Sequence, residues 1–189
     1  MPRKTLVAAA LIALPGVWSC GRNAAAAPPP SATLTRGAYL ANYGGCGDCH
    51  TPKLMTPDGP VPDTTRTLAG HLADAAVPPV PPGLLSPTGW ASVSTADLTA
   101  WAGPWGTSFA ANLTPDATGL GAWNEDGFIA TMRTGKHLGV GRPLLPPMPW
   151  FDVAALSDED LRALFAYLHS LRPVHNPVPP PLPPPGDAK

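Results

Sequence analysis

The sequence predicts an all-α domain with long irregular loops. Several short segments repeat apolar residues at helical spacing, whereas no segment alternates apolar and polar residues convincingly enough for a strand. Many of the 28 prolines are bunched before, between and after these segments. Because proline fixes φ and lacks an amide donor, the bunches mark linkers and loops. A chain of 189 residues is long enough for one ordinary domain with its own core.

The first predicted helix lies in SATLTRGAYLANYGGCGDCH, just before a pair of cysteines. Leu34, Ala38 and Ala41 fall on one helical stripe, and Leu40 lies beside it. Two consecutive glycines then end the run. A short helix therefore leads the chain directly to the cysteines.

The segment from about 51 to 93 is rich in Pro, Gly and Thr and has no sustained period. Loops of this length are usually functional or disordered, so we expect it to wrap around a site. In STADLTAWAG, Ser94 precedes Asp97 by three residues, a relative of the capping box. This pattern predicts a short helix over 95–102.

Two further helices are predicted in the C-terminal half. In NEDGFIATMRTGKH, Asn124 can cap a helix of about ten residues that Gly135 ends. In LSDEDLRALFAYLHSLRP, Ser157 supplies an N-cap hydroxyl, acidic residues follow it, and leucines recur at helical spacing up to Arg172. The tail over 175–189 contains few apolar residues and is predicted to be disordered.

The N-terminal segment 1–27 reads as a signal sequence, with Arg3 and Lys4 before a short apolar run and then small residues. Two cleavage sites are open: a lipoprotein-type site that would leave Cys20 as a lipidated first residue, and an ordinary site near Ala27. We favour the lipoprotein site because lipidation explains the otherwise unpaired Cys20. Residues 28–33 would then form a flexible tether, and the protein would be exported to the periplasm.

Composition excludes several functions. Charged residues make up 13% of the chain and the formal net charge is −1, so no basic surface for nucleic acid is expected. No nucleophile elbow, phosphate loop or paired-carboxylate pattern is present in the sequence. We therefore expect neither a catalytic residue nor a small-molecule substrate.

The segment Cys46-Gly47-Asp48-Cys49-His50 has three interpretations. A redox CxxC pair would need a thioredoxin-like βαβ context, and a structural zinc site would need four ligands. The third interpretation is covalent attachment of one haem c, for which CxxCH is the specific signature. Two thiols on one turn can reach the vinyl groups at one porphyrin edge, so Cys46 and Cys49 are predicted to form thioethers and His50 to ligate the iron.

The chain resembles the class I c-type cytochromes. The resemblance covers about 34–174 and lies in the helix with Gly37, the CGDCH motif and the C-terminal helix with FAYL. It implies a cytochrome c-like fold that wraps one covalent haem, with Gly37 and Tyr167 in contact where the terminal helices cross. NLTPDATGLGAW and PPMPWFDVAALSDEDLRALFAYLHSLRP are similar to single-haem cytochromes and to cytochrome subunits of bacterial membrane dehydrogenases. The wrap over 51–111 has no clear counterpart in the smallest members.

Met148 is the predicted second axial ligand. The prolines on both sides hold its backbone extended, and the family pattern places its ligand in such a loop before the last helix. Met55 lies too near His50 in sequence, and Met132 falls on the apolar stripe of a helix, as core methionines do. The histidines considered as alternatives are His71, His137, His169 and His175.

Asn112, Trp123 and Arg133 are weaker candidates for hydrogen bonds to the haem propionates, because two carboxylates need donors. Their alternative roles are a turn Asn, a core Trp and a solvated Arg. With both axial positions filled, the predicted function is transfer of single electrons between a dehydrogenase or respiratory complex and a downstream acceptor. The alternatives are a small haem peroxidase and a haem-based ligand sensor, each with a dissociable sixth ligand.

Overall fold

A computed structural model describes residues 30–86 and 88–184, together with Met1. The predicted signal sequence, both of its cleavage sites and Cys20 lie outside the described residues. In the part that the structure describes, no helix is both long and apolar enough to cross a membrane.

In the described chain, some α-helices precede the strands in sequence and the others follow them. The α-helices are α1 (Pro30–Tyr43), α2 (Cys46–His50), α3 (Glu125–Thr134), α4 (Trp150–Ala154) and α5 (Asp158–Ser170). Strands β1 (Lys53–Thr56) and β2 (Gly59–Pro62) form an antiparallel hairpin, and β3 (Val93–Ser94), β4 (Ala100–Gly103) and β5 (Gly106–Phe109) form an antiparallel sheet in that order. Short 3-10 turns occupy Thr64–Arg66 and His137–Gly139.

The two small sheets correct the all-α prediction, and both lie in the segment expected to wrap the site. The helix predicted over 95–102 is also wrong. Asp97 accepts hydrogen bonds from the hydroxyls of Thr95 (2.5 Å) and Thr99 (2.8 Å), and Leu98 has a positive φ of 62°. Such local side-chain bonds compete with a helix, so the segment makes a turn between β3 and β4.

The crossing of α1 and α5 depends on Gly37. A Cβ atom at Gly37 would lie 2.0 Å from the carbonyl oxygen of Ala163 and 2.6 Å from Cβ of Tyr167, so only glycine allows this approach. The predicted contact between Gly37 and Tyr167 is confirmed. The buried residues of α1 are Gly37, Leu40 and Ala41, whereas Leu34 is exposed. The buried face of α1 therefore lies slightly to one side of the predicted stripe.

Helices α3 and α5 form as the sequence predicted. The Asn124 side chain accepts from the Gly127 N–H at 2.8 Å, Gly135 ends α3 with φ of 64°, and the Ser157 hydroxyl accepts from the Asp160 N–H at 3.1 Å. Their apolar faces meet α1 in one core. Its buried members are Leu40, Ala41, Leu68, Leu120, Phe128, Met132, Leu161, Leu164, Phe165 and Leu168.

The chain beyond α5 packs on the domain up to residue 184. Thr107 and Leu182 exchange two backbone hydrogen bonds of 2.9 Å, and the Asn176 side chain is buried. The predicted disordered tail is therefore wrong for 175–184, because backbone and amide hydrogen bonds replace the apolar contacts that this segment lacks. The tether predicted over 28–33 is likewise wrong from Pro30, where α1 begins.

Replacing Gly37 by Ala should lower the free energy of unfolding by about 3 kcal/mol, because the new methyl group forces α1 and α5 apart. Urea denaturation measures the loss. Gly47→Ala is the matched control, since its Cβ would meet only the Thr51 hydroxyl, at 3.5 Å. Equal stability of the Gly37 variant and wild type would contradict the proposed close crossing.

Asp63 should make stability depend on pH. Hydrogen bonds from Thr65 and then from Arg66 lower the pKa of Asp63 to about 2. Because folding favours the carboxylate, its contribution is present above the ordinary pKa and is lost as pH falls toward 2. The stability gap between wild type and Asp63→Asn, measured by urea denaturation, should therefore narrow from pH 5 to pH 2.5. The exposed Asp58→Asn is the matched control, and a gap that stays constant for Asp63→Asn would rule out this linkage.

Candidate functional site

The CGDCH segment forms the separate short helix α2. Gly45, with φ of 65°, turns the chain between α1 and α2, and Thr51 leaves α2 in an extended conformation. Cys46 and Cys49 are not joined in a disulfide, and Cys46 packs against the core. Burial raises the pKa of both thiols. Reactive redox cysteines have lowered pKa values, so this setting does not favour the redox interpretation.

Lys53 holds the C-terminal end of α2. Its Nζ donates to the carbonyl oxygens of Asp48 at 2.8 Å and Thr51 at 2.5 Å. A lysine at a helix C-terminus satisfies carbonyls that have no partner in the helix. Sequence reasoning missed this residue, although a Lys shortly after the end of a helix is a usable signal.

His50 is oriented by one hydrogen bond. Its Nδ1 lies 2.8 Å from the carbonyl oxygen of Ala111, which can only accept, so Nδ1 carries the hydrogen. Burial lowers the pKa of His50, which favours the neutral ring. The lone pair is therefore on Nε2, the state that ligates a metal ion.

Ala111 lies where two loops, residues 68–71 and 110–113, pair with each other. His71 N–H donates to Ala110 at 2.9 Å, and Leu113 N–H donates to Leu68 at 2.9 Å. Between these bonds, Gly70 N–H donates to the carbonyl of His50 at 2.7 Å. Sequence reasoning did not find Ala111, since a backbone carbonyl has no side-chain signature.

Burial separates the three methionines that were considered as ligands. Met55 lies on β1 with 62% of its surface exposed, and Met132 is 9% exposed in the core. Met148 is partly buried, packs against the core and directly precedes α4 through Pro149. Its ligand role stays a prediction.

The alternative histidines have other contacts. Nδ1 of the buried His71 lies 2.7 Å from the Thr99 hydroxyl, which itself donates to Asp97, so His71 is the donor. The His175 ring lies 3.4 Å from Asp116. The rings of His137 and His169 pack against Trp123 and Phe165, respectively.

Asn112 has no donor left for a propionate. Its two amide hydrogens bond to Val174 O (2.9 Å) and the Thr118 hydroxyl (3.2 Å), and its oxygen accepts from Thr114. The predicted propionate contact is therefore corrected to a structural role in the loop.

Arg133 and Trp123 are the other two propionate candidates, and they have different contacts. Arg133 bonds to the Ala154 carbonyl and pairs with Asp158, which ties α3 to the start of α5. Trp123 packs on the core and against His137. The role of each toward a propionate stays a prediction.

A zinc site would require converging ligands. Within residues 30–86 and 88–184, no three His, Cys, Asp or Glu side chains lie together in a way that could hold a metal ion. The zinc interpretation therefore has no geometric support from the described part of the chain.

Known proteins resemble this chain over most of its length. It is 32% identical over 145 residues to the gluconate 2-dehydrogenase cytochrome c subunit of Pantoea cypripedii, covering 76% of this chain and 24% of that protein. It is 29% identical over 149 residues to the cytochrome c subunit of the quinone alcohol dehydrogenase of Komagataeibacter europaeus, covering 78% and 24%. The chain is a homologue of dehydrogenase cytochrome c subunits. The resemblance predicted from CGDCH and the two signatures that follow it in the sequence is thereby confirmed.

This cytochrome homologue spans about a quarter of the length of the cytochrome c subunits just named. A nicotinate dehydrogenase subunit of Pseudomonas putida is 31% identical over 150 residues, which cover 79% of this chain and 9% of that protein. No protein-family model matches the chain.

Replacing Gly70 by Ala should disturb the carbonyl that orients His50. Gly70 has φ of 81°, and a Cβ atom would lie 2.7 Å from the Ala111 oxygen. We expect a loss of about 3 kcal/mol in the free energy of unfolding, measured by urea denaturation. Gly83→Ala is the matched control, with φ of 78° and nothing near its Cβ. Equal losses in the two variants would show that only backbone strain matters.

Proposed function

We propose that this chain is a c-type cytochrome domain that transfers single electrons through one covalently bound haem c. The observation that carries the proposal is His50, which ends the CGDCH helix and has its Nδ1–H donated to the Ala111 carbonyl. A histidine held in this tautomer has its Nε2 lone pair available for iron. The homology to cytochrome c subunits supports the same assignment.

The chain's own residues would hold the haem at four points. Cys46 and Cys49 would hold it covalently through thioether bonds. His50 and Met148 would ligate its iron. Cys46 and Met148 both border the apolar core, which suits an apolar macrocycle.

When bound, the haem supplies an iron that accepts and releases one electron. The protein contributes the positions of the ligands. Ala111 fixes the orientation of His50, and Pro147 and Pro149 restrict the backbone on either side of Met148. A thioether ligand favours the ferrous state and therefore raises the reduction potential. If His50 and Met148 both ligate the iron, no coordination site would be left for a substrate, and this favours an electron carrier over an enzyme.

The proposed partners are redox proteins. The curated homologues include cytochrome c subunits of dehydrogenases, so a dehydrogenase or respiratory complex is the proposed donor, with a separate terminal acceptor downstream. The proposed location is the periplasm, with lipid attachment through Cys20. A formal net charge of −1 predicts an association rate that changes little with ionic strength.

Covalent attachment is tested by expressing the full chain in cells that mature c-type cytochromes. We expect haem to remain with wild type in a denaturing gel, and the double variant Cys46→Ala/Cys49→Ala to lose it completely, since no other described cysteine can form a thioether. Haem-specific staining and intact mass measure both results. A wild-type protein without covalent haem would refute the proposed function.

Met148→Leu should remove the second axial ligand. We expect the weak near-infrared methionine band to disappear, high-spin features to appear, and the reduction potential to fall, because Leu has no sulfur to stabilise ferrous iron. Absorption spectroscopy and redox titration measure these changes. The exposed Met55→Leu is the matched control and should keep wild-type bands. Unchanged bands in Met148→Leu would assign this ligand to another residue, whereas high-spin iron in the wild type would favour the peroxidase and sensor alternatives.

A further inference from the structure

We propose that Asn176 is a positioning residue for His50, acting through the loop that holds the Ala111 carbonyl. This inference rests on the proposed function, because it concerns how the iron ligand is tuned. It assigns a role to a segment beyond α5 that sequence patterns predicted to be disordered.

The Asn176 side chain is buried, with 5% of the residue's surface exposed, and every polar atom of it is used. Its amide nitrogen donates to the carbonyls of Ala69 (2.7 Å) and His71 (2.8 Å). Its oxygen accepts from the Ala73 N–H at 3.0 Å. Two carbonyls and one N–H are therefore satisfied by one side chain, and only a carboxamide offers two donors and an acceptor in this arrangement.

The two carbonyls that Asn176 binds flank Gly70. Gly70 N–H donates to the backbone carbonyl of His50, and its α-carbon lies so close to Ala111 that an added Cβ would be 2.7 Å from the Ala111 oxygen. Gly70 thus contacts both His50, the proposed iron ligand, and the Ala111 carbonyl that orients it. Holding Ala69 and His71 in place holds Gly70 between these two groups.

Asn176 is itself fixed from the other side. Its backbone N–H donates to the Thr118 hydroxyl at 3.0 Å, and that hydroxyl also accepts from Asn112 and donates to Asp116. Two residues earlier, the Val174 carbonyl accepts from the Asn112 amide, and the Val174 N–H donates to the Thr114 hydroxyl. The segment after α5 is therefore anchored both at Val174 and at Asn176 itself.

The hydrogen bond from Nδ1 increases the basicity of a metal-bound histidine. A more basic imidazole favours ferric iron, so weakening this bond should raise the reduction potential. Loss of the Asn176 amide should loosen the loop, lengthen the bond to Ala111 and produce that rise. A merely structural residue would lower stability without changing the potential.

The test uses the full-length holo-protein with Asn176→Ala, and Asn176→Ser as a milder variant that keeps one donor. Redox titration should give a higher potential for Asn176→Ala than for wild type, and an intermediate value for Asn176→Ser. In the reduced protein, NMR should show the His50 Nδ1–H exchanging with solvent about fivefold faster in Asn176→Ala, because the loosened loop weakens its hydrogen bond to Ala111.

Asn124→Ala is the matched control, because it removes an asparagine that makes a single capping bond to Gly127 and lies on another element. It should lose stability while its potential and Nδ1–H exchange stay at wild-type values. Unchanged potential and exchange in both Asn176 variants would overturn the inference, as would equal shifts in Asn124→Ala. A wild-type chain without covalent haem would instead refute the proposed function, so the two failures are distinguishable.

Discussion

The hydrogen bond between His50 and Ala111 is the interaction on which the proposed site depends. It selects one tautomer of a partly buried imidazole, and it joins α2 to a loop that lies 61 residues away in sequence. Because a carbonyl can only accept, the bond needs no charge and no titrating partner to be maintained. The packing of the two loops around Ala111 is therefore part of the proposed redox chemistry as well as part of the fold.

Two kinds of packing support this bond. The terminal helices α1 and α5 cross at Gly37 and, with α3, bury the apolar core against which Cys46 rests. The loops are held differently, by side chains that satisfy backbone groups. Asn112, Thr114 and Asn176 form a buried polar network in which each bond satisfies a group that would otherwise be left unpaired. Such a network fixes loop geometry with little apolar surface.

The difference between helix packing and loop hydrogen bonding explains which predictions were confirmed. The caps Asn124, Gly135 and Ser157 were predictable because a capping residue and its partner lie within a few positions along the chain. The helix over 95–102 was wrong because Asp97 binds its neighbours Thr95 and Thr99, a competition that a capping-box spacing does not resolve. Strands of four residues or fewer are also too short for a period of two to be recognised.

The sequence by itself determined the CGDCH motif and the terminal helices, because these depend on local spacing, and its resemblance to the class I c-type cytochromes implied their contact at Gly37. Only the tertiary structure decided which carbonyl orients His50, that Asn112 serves the loop, and that the chain beyond α5 stays packed. The physical reason is that these features are hydrogen bonds to backbone groups between distant segments, such as Asn176 and His71, 105 residues apart. A backbone carbonyl is the same in every residue, so its partner is chosen by the fold.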